Sequence, residues 1–317
     1  MRLLITTFLA RHKTTILVFF GVGIILLIAA RQWASIEAAV SQLVVRSAAL
    51  ALLLLVFANV IAALLFALLA SDKGTNFYTR LELSSVFLIS QSAKYVPGKV
   101  WSILMQAAYL RGRFTAGTMV VANIEVALLV LGAVSMIGIG IAIWTDVAKP
   151  FGLLVAIAGI LATVLMVRRG PLRQMTFRGF ARFGGRAADS DARVRTTEAT
   201  GGVGVPYLLL IGFAIFYVAG WLVFAGPALG IEIQIALKWV GLMSLSYALG
   251  VLSMFPAGIG VREASIYLLA AYSGVDPGQA ASIAVLSRIM MLAIDACGIL
   301  AGSAVLLAIS NRQGEKQ

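Results

Sequence analysis

The chain has 317 residues, 61% hydrophobic and 12% charged, with a formal net charge of +12 at pH 7. So apolar a composition excludes a water-soluble domain of this length, and its long unbroken apolar runs do not suit a transmembrane β-barrel, so the class is an all-α polytopic membrane protein. One cysteine (Cys297) excludes an internal disulfide, and one histidine (His12) leaves no basis for a zinc site or a histidine-centred triad.

The N-terminal Arg2, Arg11, His12 and Lys13 precede an apolar run, Thr14 to Ala30. That run is long for a signal peptide and is followed by bulky Arg31-Gln32-Trp33, so an uncleaved first span is expected. Val44 to Ala70 is a second span, long enough to tilt. Leu81 to Val96 is short and carries Ser84, Ser85, Ser90, Gln91, Ser92 and Lys94. It breaks at Pro97-Gly98 and resumes as a helix from Val100 to Leu110. Thr118 to Trp144 and Phe151 to Val167 are full spans. The 168–205 stretch follows as a basic cytoplasmic loop, with eight arginines from Arg168 to Arg195, readable either as a solvated loop or as a basic helix on an anionic leaflet.

Pro206 to Phe224 is the next span. Trp239 to Phe255 holds Ser244, Ser246, Tyr247 and Ser253, is interrupted from Pro256 to Gly260, and continues as a helix from Glu263 to Tyr272. Gln279 to Ser310 is the last span. The cations cluster in loops, which reads as positive-inside topology and not as nucleic-acid binding. Placing every basic cluster, and both termini, on the cytoplasmic side requires Leu81–Leu110 and Trp239–Tyr272 to enter from opposite faces and turn back. The expected architecture is therefore a single integral membrane domain, 1–317, with six full transmembrane helices and two oppositely oriented re-entrant hairpins. The order of features repeats over 44–167 and 206–310, an inverted repeat that would place a substrate site near the midplane.

Proline, glycine and charge inside lipid-buried sequence are tolerated only where protein or a wet cavity shields them. Pro97, Gly98, Pro256, Gly258 and Gly260 are thus candidate site positions, and Lys99 and Arg262, each just after a break, favour an anion such as phosphate. Arg288 and Asp295 lie on one face of the last span, and Glu263 neighbours Arg262; these charges either join the site or pair with one another. Glu125, Asn123 and Gln106 are further intramembrane polar positions. Lys94 and Tyr95 are expected to anchor at an interface, as are most of the five tryptophans. No phosphate-binding loop with a Gly-Lys-Ser/Thr ending occurs, so ATP-driven transport by this chain alone is not expected, and no cofactor is implied.

The runs Lys94-Tyr95-Val96-Pro97-Gly98-Lys99-Val100-Trp101 and Pro256-Ala257-Gly258-Ile259-Gly260-Val261-Arg262-Glu263-Ala264 resemble motifs of the flippase-like membrane family. That family includes the lysylphosphatidylglycerol synthase transmembrane region and glycosyltransferase-associated membrane proteins. Ser287-Arg288 resembles its polar–Arg pair, and the likeness covers essentially the whole chain. One departure is Glu125, followed by Val126 where the family often shows a Glu-Arg pair and then Asp. The resemblance implies a stand-alone translocase-like domain of a bacterial inner membrane, without lipid-modifying activity. Its substrate would be an anionic phospholipid or polyprenyl-phosphate-linked molecule. An intramembrane lipid-phosphate transferase or hydrolase, and a membrane partner for a cytoplasmic glycosyltransferase, are the alternatives.

Overall fold

A computed structural model describes residues 30–71, 74–95, 101–110, 113–114, 116–146, 157, 204–253, 255–272 and 275–314. The described residues are helical and contain no strand. The elements are α1 (Trp33–Ser41), α2 (Val45–Ala70), α3 (Phe77–Ser90), α4 (Trp101–Tyr109), α5 (Ala116–Asp146), α6 (Gly204–Val223), α7 (Ile233–Leu252), α8 (Val261–Tyr272) and α9 (Pro277–Gly314). Short 3-10 turns follow α3 (Gln91–Tyr95) and precede α8 (Pro256–Gly258), and a π turn with Pro227 inside it, Phe224–Ala228, ends α6.

Five helical stretches are long and apolar enough to cross a bilayer: Val45–Ala70, Gly117–Thr145, Gly204–Ala228, Ile233–Leu252 and Pro277–Arg312. Four coincide with expected spans. The other two expected spans, Thr14–Ala30 and Phe151–Val167, lie largely outside the described residues, as does nearly all of the basic 168–205 loop. The fifth stretch, α7, corresponds to the segment expected to begin at Trp239 as a half-helix. It starts six residues earlier, at Ile233: Ile233 to Lys238 is also helical, with Glu232 non-helical at the cap and Ala236 buried.

α2 shows why these helices assemble in lipid. It is apolar on all sides, yet its buried positions are largely small (Ala51, Ala58, Ala62, Ala63, Ala67, Ala70), while Leu50, Leu53, Phe57 and Leu64 face outward. Small buried residues let backbones approach closely, and the large ones are left to the acyl chains. α2 packs along α6 and α3, α5 along α7, and α9 along α3 and α8. The backbones of α3 and α9 come close at Gly302, where a Cβ would stand 2.8 Å from the Ser85 carbonyl oxygen.

α3 and α4 form an antiparallel hairpin. Gln106 in α4 donates to Ser90 at the end of α3 (2.7 Å), and Arg113 beyond α4 reaches Glu82 in the second turn of α3 (Nη1–Oε2 2.8 Å). Asn123 of α5 donates to Gln106 (2.6 Å), so the polar residues read individually from the sequence form one chain linking α3, α4 and α5. α8 packs back on α7 in the same fashion. The two turns, 91–95 and 256–258, are in contact with each other.

Candidate functional site

The turn before α8 is shaped by its backbone. Ala257 sits at φ 49°, Gly258 at 66° and Gly260 at 82°, left-handed conformations that glycine adopts without penalty and alanine does not. A Cβ on Gly258 would also stand 3.0 Å from the Gly250 Cα, so the turn is pressed onto α7. The Gly260 N–H donates to Glu263 Oε2 at 2.8 Å. Glu263 thus closes the first turn of α8 as an N3 carboxylate does in a capping box.

With Glu263 committed to the turn, its neighbour Arg262 is left without a carboxylate partner among the described residues. Arg262 is only 3% exposed, and its guanidinium lies over the rings of Tyr247 (5.6 Å) and Trp221 (5.9 Å). Nη1 contacts the Met291 sulfur, while Nε and Nη2 are buried without a hydrogen-bond partner. Cation–π contacts offset part of the desolvation of a guanidinium but satisfy none of its in-plane N–H groups.

The other charges are engaged. Asp295 of α9 accepts from Lys94 Nζ at 2.8 Å and from the Tyr95 hydroxyl, tying the 91–95 turn to α9. Arg288 donates to the Ala257 carbonyl (3.2 Å), lies 3.7 Å from Glu263 Oε1 and stands over the Tyr95 ring, with Nη2 unpartnered. Arg288 and Asp295 therefore share a face of α9 without pairing: seven residues of helix separate them by about 10 Å along the axis. Each is matched to a different turn. Among the described residues, three cations and two carboxylates meet here, leaving one positive charge.

Two cavities adjoin at Arg262. The larger, about 470 Å³, runs between α2, α5 and α6; Leu55, Ala62, Val126 and Phe213 give it an apolar wall, and Lys94, Arg262 and Asp295 face it. The smaller, about 260 Å³, lies between the two turns and is faced by Gln91, Lys94, Tyr95, Tyr247, Arg262 and Arg288. A run of ring contacts on α6, from Phe213 through Tyr217 and Trp221 to Phe224, carries the larger cavity's aromatic wall up to Arg262. The arrangement can receive an amphipathic anion, with its charge at Arg262 and its apolar part along α2 and α6.

The family model described as the lysylphosphatidylglycerol synthase TM region matches residues 14–297. The chain belongs to that family. With its five apolar helices this makes it a multi-pass membrane protein of a family concerned with lipids. A search of curated proteins found no match.

Of the site residues read from the sequence, Arg262, Arg288, Asp295 and Gly258 face the cavities, while Glu263 and Gly260 shape the turn behind them. Pro256 opens the same turn. Pro97, Gly98 and Lys99 lie outside the described residues. Glu125 is buried in α5 and faces neither cavity. Lys94 and Tyr95, expected at an interface, belong to the site. So do Trp221 and Tyr247: Tyr247 stands between serines in an interrupted span, while nothing in the uninterrupted Pro206–Phe224 span pointed to Trp221. The aromatic-belt reading does not hold for Trp221 and Trp239, which are 2% and 0% exposed.

Proposed function

We propose that the chain is a lipid translocase, passing an anionic lipid head group across the bilayer between two re-entrant hairpins, α3–α4 and α7–α8, while the acyl or prenyl tails remain in lipid. The observation that carries this reading is Arg262: buried, without a carboxylate partner among the described residues, with Nε and Nη2 unpaired, and lining both cavities. A buried unpaired charge is expensive, and a phosphate that completes it would recover that cost only at the site, lowering the barrier to dehydrating the head group. Phosphodiester lipids and polyprenyl phosphates share that chemistry. In the proposal the hairpins are inverted-repeat counterparts, and Lys99, just beyond the first break, assists the same anion from the α4 side.

Neither carboxylate is offered as a catalytic group, since Glu263 serves its turn and Arg288, and Asp295 serves Lys94 and Tyr95. The test is a reconstituted-vesicle assay following a fluorescent phosphatidylglycerol from the outer to the inner leaflet. Arg262→Ala is expected to slow translocation at least about tenfold, the scale of losing one charge-assisted contact. Wild-type rates from both Arg262→Ala and Lys99→Ala would overturn the assignment.

A further inference from the structure

Resting on the proposed reading, we infer that Met291 is a displaceable stopper on the anion site. Its sulfur holds Arg262 while no lipid is bound and swings aside when a phosphate takes its place. Met291 sits on α9 between Arg288 and Asp295, on the helix face that carries both. Five side chains line both cavities and so form the partition between them: Gln91, Lys94, Tyr247, Arg262 and Met291.

The nitrogens of Arg262 decide what can reach it. Nε and Nη2 are buried, and Nη1 donates to the Met291 sulfur. No nitrogen of the guanidinium is therefore open to an anion until a neighbouring group moves. Trp221 is held in a run of ring contacts with Tyr217 and Phe224, and Lys94 is tied to Asp295. Met291 is the neighbour free to move. Its side chain is unbranched, with three rotatable bonds, and it has cavity space on either side. The exchange also runs in the right direction. A thioether is a weak acceptor, whereas a phosphate oxygen makes a charge-assisted bond to the same N–H. The sulfur thus keeps the arginine covered between substrates and yields to an anion when one arrives.

The test uses the purified full chain in detergent, titrated with phosphatidylglycerol, with bound lipid read by native mass spectrometry. An anion that must wait for the sulfur to leave binds with an affinity reduced by the fraction of open molecules. Met291→Ala removes the stopper and is expected to tighten binding at least about threefold. Met291→Gln is nearly isosteric and puts a stronger acceptor in the same place, so it is expected to weaken binding at least about threefold. In an Arg262→Gln background both effects should fall below about 1.5-fold, because the stopper then has no guanidinium to hold. A side chain that only packs the partition would weaken binding in both variants, and a gain from added room for tails would survive Arg262→Gln. Either pattern, or no change in both variants, overturns the stopper, and the anion site still stands if Arg262→Gln alone weakens binding. Binding indifferent to Arg262→Gln alone would instead bring down the translocase reading beneath it.

Discussion

Asp295 binds the 91–95 turn to α9 through two side chains, so its loss does more than remove one contact. Asp295→Asn keeps the shape but leaves Lys94 without its counter-charge. Lys94 is 29% exposed at the side chain, so water relieves part of the penalty. The expected cost is about 1–3 kcal/mol, below that of a fully buried broken pair, read as a lower melting temperature in detergent. Ala257 offers the opposite case. Its φ of 49° belongs to a region costly for any residue with a Cβ. Ala257→Gly should relieve about 1 kcal/mol of strain, offset in part by the flexibility gained in the unfolded chain, and leave the melting temperature equal or higher. A clear fall would mean that the alanine methyl is itself a needed contact. Arg262 was legible at this scale as a charge beside a helix break. Its isolation was not, because that depends on where Glu263 points.

Helix pairing is decided by a few close approaches. On the α3–α9 seam any side chain at Gly302 meets a carbonyl oxygen, which is backbone and cannot swing aside. Gly302→Val is therefore expected to part α3 from α9 and destabilise the fold by about 2–3 kcal/mol, loosening the Lys94–Asp295 contact as well. Gly→Ala at the same place should cost less, and equal effects of the two would argue against a steric cause. The α3–α4 hairpin hangs on the Ser90–Gln106–Asn123 chain. Gln106→Leu takes one hydrogen bond from Ser90, which keeps the Phe87 carbonyl, and the interhelical ones from Asn123, which keeps the Met119 carbonyl, and is expected to cost about 1 kcal/mol, measured by the same thermal shift. Element existence was readable from runs of apolar residues and from proline and glycine inside them. Element length was less so: α7 begins at Ile233, ahead of the expected Trp239, with Ala236 buried.

For the molecule as a whole, the arrangement of the hairpins in the bilayer governs how a head group crosses. Single cysteines placed on both sides of Pro97, in a Cys297→Ser background, should react with a membrane-impermeant reagent from one face only, and those flanking Pro256 from the other. Labelling of the two flanks of one break from opposite faces would mean that the segment crosses.

The sequence by itself determined that the chain lives in a membrane, roughly where its long helices run, and that proline, glycine and charge interrupt apolar sequence at two places. It could do so because hydrocarbon penalises proline, glycine and charge so heavily that few explanations survive for them. Only the tertiary structure decided which cation is left unpaired. Asp295 and Lys94 stand 201 residues apart, and the cavity walls come from α2, α5 and α6, so no local spacing encodes their meeting. Charge compensation is a property of three-dimensional neighbours, and which arginine lacks a carboxylate among the described residues becomes visible only in the fold.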